Sequence, residues 1–144
     1  MNFSKETTYF LEDLRATQVF AQELATFLSK QKRPFYLLLT GDLGAGKTTL
    51  TKALMKALNV LDPITSPTFV ILNQYESSDN QVINHMDAYR LTFGEDSSMY
   101  EEYFADNLNI IEWPENLALN WEALSHLKLE IKIVDENRRQ VTIK

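Results

Sequence analysis

"FYLLLTGDLGAGKTTLTKAL", residues Phe35 to Leu54, decides how this 144-residue chain is read. The apolar run from Phe35 to Thr40, set between Pro34 and Gly41, has the length and continuity of a strand buried in a parallel sheet. Beyond the glycines, Leu50, Ala53, Leu54, Ala57 and Leu58 fall at helical spacing, so a helix is expected over Lys47 to Leu58. The glycine-rich turn links a strand to a helix.

That turn, Gly41 to Thr48, matches the phosphate-binding pattern G-x-x-x-x-G-K-[ST] in full. Glycine lets the backbone take positive φ and approach an anion closely. Successive backbone N–H groups can then point at a phosphate, and the following helix adds the positive end of its dipole. Lys47 supplies a point charge for β- and γ-phosphates, and the Thr48 hydroxyl is a hard oxygen ligand for Mg²⁺. An ordinary glycine-rich βα turn would need neither residue. The stretch reads as a nucleoside-triphosphate site.

Working outward, Val19, Phe20, Ala21, Leu24, Phe27 and Leu28 suit one face of an amphipathic helix over Thr17 to Lys30, with Thr17 in its N-cap region. Lys30, Lys32 and Arg33 decorate its exit. "DPITSPTFVILNQYE" reads as a loop feeding a strand at Phe69 to Leu72, "SSDN" as a turn, and "QVINHMDAYRL" as a strand ending near Asp87. "SSMYEEYF" carries Ser98 and Glu101 at capping-box spacing, so a short helix is expected there. "NLNIIE" is a further strand ending at Glu112. Leu129, Ile131 and Ile133 alternate, a turn follows at Asp135 to Asn137, and Val141 and Ile143 complete a hairpin with one buried face. Parallel βα order at the glycine loop, followed by hairpins, gives a compact α/β fold. Its expected form is a single P-loop domain over residues 1–144, with a mixed parallel and antiparallel sheet flanked by helices.

Composition narrows the function classes. Cysteine is absent, which excludes disulfides, thiolate metal sites and cysteine nucleophiles. A formal charge of −6 disfavours a chain that grips a nucleic-acid backbone itself and leaves room for a basic protein partner. No apolar run reaches the ~18 residues that span a bilayer, and "MNFSKETTYF" lacks the pattern of a secretory signal, so a cytoplasmic location is expected.

Two carboxylates end apolar runs, Asp87 after "VINHM" and Glu112 after "NLNII". The C-terminal ends of parallel strands are where an open α/β sheet presents its site. Each is therefore a candidate to face a metal, or merely a strand cap. In "SPTF", Ser66 and Thr68 flank a stiffening proline; a hydroxyl there could respond to a γ-phosphate, or the segment could be a plain turn. Arg90 suits a phosphate or a structural acid, and Trp113 suits the site or the core. His85 and His126 are read as structural.

No N-K-x-D or D-x-x-G marks a regulatory GTPase, and the scattered arginines do not form the lid of a small-molecule kinase. "GDLGAGKTTLTKAL", "SPTFVILNQYE", "HMDAYRL" and "IIEWPENL", in this order, together resemble the TsaE family, also known as the YjeE family. The resemblance runs from about Thr17 to the C-terminus. It implies a small Mg²⁺-dependent ATPase with weak intrinsic turnover, required for threonylcarbamoyladenosine formation in tRNA. The implied partner is the two-subunit threonylcarbamoyl-transferase complex of TsaB and TsaD type, which performs the transfer and is reset by ATP binding and hydrolysis. Contact with tRNA would be indirect, no membrane would be involved, and weak self-association is compatible with this role.

Carried onto this sequence, the resemblance implies that Asp42, Leu43, Gly44, Ala45, Gly46, Lys47, Thr48 and Thr49 hold the phosphates. Thr48 and Glu112 would bind Mg²⁺, and Asp87 would support the metal or orient water. Thr68 would lie in a nucleotide-responsive loop, Trp113 near the nucleotide, and Thr17 near the base. Either Arg138 or Arg139 would contribute from the last hairpin. The chain departs from the family at "YFADNLNIIEW", where many relatives carry a glycine before the strand, a change expected to alter that loop. Two rival readings share the site: a nucleotide-dependent binding switch whose hydrolysis is incidental, and a kinase acting on a sugar or nucleoside.

Overall fold

The computed structural model describes residues 2–42, 44, 46–61, 71–91 and 98–144. In chain order these form β1 (Thr8–Leu11), α1 (Leu14–Ser29), β2 (Phe35–Thr40), α2 (Lys47–Ala57), β3 (Leu72–Glu76), β4 (Val82–Asp87), α3 (Ser98–Phe104), β5 (Leu108–Glu112), β6 (His126–Ile133) and β7 (Arg139–Ile143). The strands make one seven-stranded sheet in the order β1-β7-β6-β2-β5-β4-β3. β6, β2, β5 and β4 run parallel in its middle; β7 pairs antiparallel with β6 and β1, and β3 antiparallel with β4. This is the mixed α/β sheet expected from the sequence.

β2 is buried on both faces because its side chains alternate between two cores. Leu37 and Leu39 join Phe20, Leu24 and Leu28 of α1 and Leu50 and Leu54 of α2. Tyr36 and Leu38 face the other way, onto Met86, Ile111, Leu117 and Phe104 of α3. A buried amide pair ties α3 to the sheet: Asn84 Nδ2 donates to Asn109 Oδ1 and to the Tyr103 carbonyl, while Asn109 Nδ2 donates to the Phe104 carbonyl. Among the described residues no helix is long and apolar enough to cross a membrane.

Several expectations need correction. α1 begins at Leu14, not at Thr17, because Asp13 is the N-cap and its carboxylate accepts from Ala16 N at 2.8 Å. Thr17 sits inside the helix, with its hydroxyl donating back to the Asp13 carbonyl. The buried stripe is Thr17, Phe20, Ala21, Leu24, Ala25 and Leu28, so Val19 is exposed rather than inward. β3 begins at Leu72, where the sequence expectation had a strand ending; Phe69 and Val70 lie outside the described residues. Its register with β4, Leu72 opposite Met86 and Glu76 opposite Val82, is set by the turn at Ser77 to Asn80 and draws Asn73 and Gln74 into an edge strand. Ile133 is exposed at the turn end of the last hairpin, opposite Arg139, while Leu127, Leu129 and Ile131 make its buried face. β1 has no counterpart in the sequence reading.

The basic exit of α1 does cap the helix, since Arg33 Nη1 donates to the carbonyls of Leu28 and Gln31. In the loop before β5, Asp106 takes φ 63°, the left-handed region that Asp tolerates better than most residues. Leu38→Ala should lower unfolding free energy by about 2–5 kcal/mol in urea denaturation, as a fully buried truncation does. Val19→Ala should change it by no more than about 0.5 kcal/mol; a large loss at Val19 would contradict the observed helix phase.

Candidate functional site

Where β2 ends, the chain turns through Gly41 and Asp42 and enters α2 at Lys47. Gly46 is the N-cap of α2 at φ 99°, ψ 15°, a conformation that L side chains rarely adopt. A Cβ there would also lie 3.1 Å from Arg139 Nε, so that side chain would have to give by a few tenths of an ångström. Lys47 is buried, its Nζ donating to the Gly41 carbonyl at 2.6 Å and lying 4.1 Å from the centre of the Trp113 ring. Thr48 and Thr49 are exposed on the first turn of α2, and Asp42 and Gly44 are exposed in the loop. Leu43, Ala45, Ser66 and Thr68 lie outside the described residues.

The two strand-ending acids meet. β4 and β5 pair in parallel with Asp87 level with Glu112. Glu112 is buried, and its Oε2 accepts from His85 Nε2 at 2.6 Å. Asp87 is half-buried, and its Oδ1 accepts from Tyr89 N at 3.0 Å in a local turn. Burial pushes the Asp87 carboxyl above the ordinary carboxylate range, and the neighbouring Glu112 pushes the same way; the Tyr89 N–H, His85 and Lys47 oppose them. Burial likewise lowers the Lys47 ammonium, against the pull of Glu112, Asp87, Glu115 and Asp42.

The backbone locks this corner. Ala88 N donates to the Glu112 carbonyl, Trp113 N to the Leu39 carbonyl, and Asn116 Nδ2 to the Ala88 carbonyl. Trp113 itself takes φ 58°, which turns the chain out of β5 with the indole over Lys47 and 5.1 Å from the Tyr89 ring. Arg90 is exposed and makes no ion pair among the described residues.

A cavity of about 280 Å³ opens beside Gly46, lined among others by Asp13, Thr17, Thr49, Leu50, Asn137 and Arg139. Thr17 therefore reaches the loop's surroundings from within α1. The hairpin arginines separate: Arg139 lies against Gly46 and lines the cavity, while Arg138 pairs with Asp135 and reaches Glu12 at 3.8 Å. His85 and Tyr89 are the neighbours of the acids that sequence reasoning passed over. One signal was available: His85 precedes Asp87 by two on a strand, so both side chains share a face.

These residues suit a Mg²⁺-bound triphosphate. The helix N-terminus and Lys47 are cationic, Thr48 carries a hydroxyl on the same turn, and two carboxylates stand near Lys47. Among the described residues no group of three or more His, Cys, Asp or Glu could hold a metal by itself. Mg²⁺ needs no such cage, because it is usually held by one or two carboxylates together with substrate phosphates and water.

Residues 11–141 match the family model described as "Threonylcarbamoyl adenosine biosynthesis protein TsaE". The chain belongs to the TsaE family. The tRNA threonylcarbamoyladenosine biosynthesis protein TsaE of Aquifex aeolicus is 38% identical over 135 residues, covering 92% of each chain. That of Synechocystis is 40% identical over 117 residues, covering 76% of this chain and 71% of the relative. The crystal structure of Bacillus subtilis YdiB superposes with a TM-score of 0.68 at 31% identity, covering 96% of this chain and 84% of that one. This chain carries the phosphate-loop signature, and its two strand-ending acids lie level on neighbouring strands of its sheet.

The raised carboxyl of Asp87 sets a sign for stability. A group whose pKa is higher in the folded state favours folding at low pH, and that contribution is lost as pH rises through the folded value. Asp87→Asn, which keeps an oxygen for the Tyr89 N–H, should therefore melt at higher temperature than the parent at neutral pH. Below the ordinary aspartate pKa of about 3.9 the two curves should converge. A variant less stable than the parent at pH 7 would contradict the site's electrostatics.

Proposed function

We propose that this TsaE-family chain is a slow Mg²⁺-dependent ATPase that serves threonylcarbamoyladenosine formation in tRNA. The observation that carries the reading is the buried Lys47 in a phosphate-loop turn, with the Glu112 and Asp87 carboxylates among the charges that act on it. The sequence carries no guanine-reading motif, and the cavity beside Gly46 has Leu14, Leu50 and Ile131 as apolar lining for a base. At about 280 Å³ it stands near the lower end of small-molecule pockets.

In this reading Gly44, Gly46, Lys47, Thr48 and Thr49, with Asp42, Leu43 and Ala45, hold the phosphates. Thr48 and Glu112 hold Mg²⁺, whose chemistry is to neutralise charge on the β- and γ-phosphate oxygens. Asp87 orients the attacking water or supports the metal. Thr68 responds to the γ-phosphate, Trp113 covers Lys47, and Thr17 and Arg139 stand at the base side. The role in tRNA rests on the names of the relatives. The partner is the two-subunit threonylcarbamoyl-transferase of TsaB and TsaD type, and the place of action is the cytoplasm. An acidic chain of formal charge −6 suits a basic protein surface better than tRNA itself.

Glu112→Ala separates energy coupling from simple switching. The variant should bind nucleotide and lose Mg²⁺-dependent hydrolysis by at least about 100-fold, the scale of a lost charge-stabilising group. In a reconstituted assay it should permit no more than a first round of tRNA modification. Multiple rounds at parental yield would make hydrolysis incidental and leave a nucleotide-dependent binding switch.

A further inference from the structure

His85 is a buried, hydrogen-bonded group that the roles above leave unused. Its Nε2 lies 2.6 Å from Glu112 Oε2, and the two side chains are only 2% and 6% exposed. The contact crosses from β4 to β5, between the strands that bring Asp87 and Glu112 level. An ionised carboxylate can only accept, so Nε2 carries the hydrogen and donates it. Nδ1 is also buried and has no hydrogen-bond partner among the described residues. A ring buried with one nitrogen unpaired is a poor filler, because the unmet nitrogen keeps its desolvation penalty. What the imidazole does provide is a rigid donor, aimed at one carboxylate oxygen.

We propose that His85 is a positioning residue for Glu112. By engaging Oε2 it fixes the carboxylate's rotation and leaves Oε1 as the oxygen free to meet a metal ion. Glu112 then acts through one oxygen, at a place set by two paired strands. Partners that hydrogen-bond a ligating carboxylate commonly matter to metal affinity almost as much as the ligands themselves. The inference rests on the proposed Mg²⁺ site and concerns a residue that touches neither nucleotide nor metal.

The test compares the parent, His85→Phe and His85→Gln for ADP binding by calorimetry across a Mg²⁺ titration. Gln keeps an N–H donor; Phe keeps the ring's bulk and removes the donor. Binding of ADP without metal should be the same in all three. His85→Phe should raise the Mg²⁺ concentration for half-maximal enhancement of binding by about 10–100-fold, and His85→Gln should restore most of that loss. An unchanged Mg²⁺ response in a folded His85→Phe, or equal losses in both variants, would overturn the proposal. Nitrogen NMR of the parent requires no variant and decides the matter if His85→Phe does not fold. With only two histidines to assign, the His85 ring should show a protonated Nε2. That signal should move when Mg²⁺ joins ADP; an indifferent signal would overturn the proposal. A parent whose ADP binding ignores Mg²⁺ would remove the proposed metal role itself, and this inference with it.

Discussion

One register carries the site: Leu39 of β2 and Asp87 of β4 are both level with Glu112 of β5. Parallel strands end on the same edge of the sheet, so the three turns that follow them open side by side. One becomes the glycine loop, one the Ala88–Tyr89 turn, and one the left-handed step at Trp113. Backbone hydrogen bonds across these turns hold the corner: Ala88 N to the Glu112 carbonyl and Trp113 N to the Leu39 carbonyl. A slip of one residue between β4 and β5 would send Glu112 or Asp87 to the opposite face of the sheet, among Met86 and Ile111. The functional corner is thus a consequence of how the core strands pair.

The charges gathered there are not arranged for stability. Lys47 is desolvated under an indole, and the Asp87 carboxyl is held up by burial and by the like charge of Glu112. Lys47 and the acids compensate one another only in part, and sites of this kind commonly trade stability for function. A triphosphate would meet the lysine and helix N-terminus, and its metal ion would meet the acids. The corner's own partners are local: Gly41 for Lys47, Tyr89 for Asp87 and His85 for Glu112.

What the sequence disclosed was what local chemistry dictates. The phosphate loop, β2, α2, β4, β5 and the closing hairpin each show their pattern within a short stretch of chain. β1 did not, because its four residues gain order by pairing with a strand at the other end of the chain, Thr8 opposite Thr142. The start of α1 was missed because the Asp13 side chain outcompetes Thr17 as a cap, although Thr17 still lines the cavity beside Gly46. Arg138 and Arg139 are adjacent in sequence and diverge only once the hairpin assigns them to different faces. The His85–Glu112 contact requires the β4–β5 register, which no local pattern reveals. Thr68, Leu43 and Ala45 belong to stretches outside the described residues, so their roles rest on the sequence motifs and the family resemblance.

In the proposed reading, the corner between β2, β5 and β4 cleaves ATP on behalf of another enzyme. The most direct measurement is phosphate release from ATP with Mg²⁺, first by the chain alone and then with the two-subunit transfer complex and tRNA. Release should be slow for the chain alone and markedly faster once the complex is added. Release that ignores the complex, or a γ-phosphate found on a metabolite in place of free phosphate, would contradict that assignment.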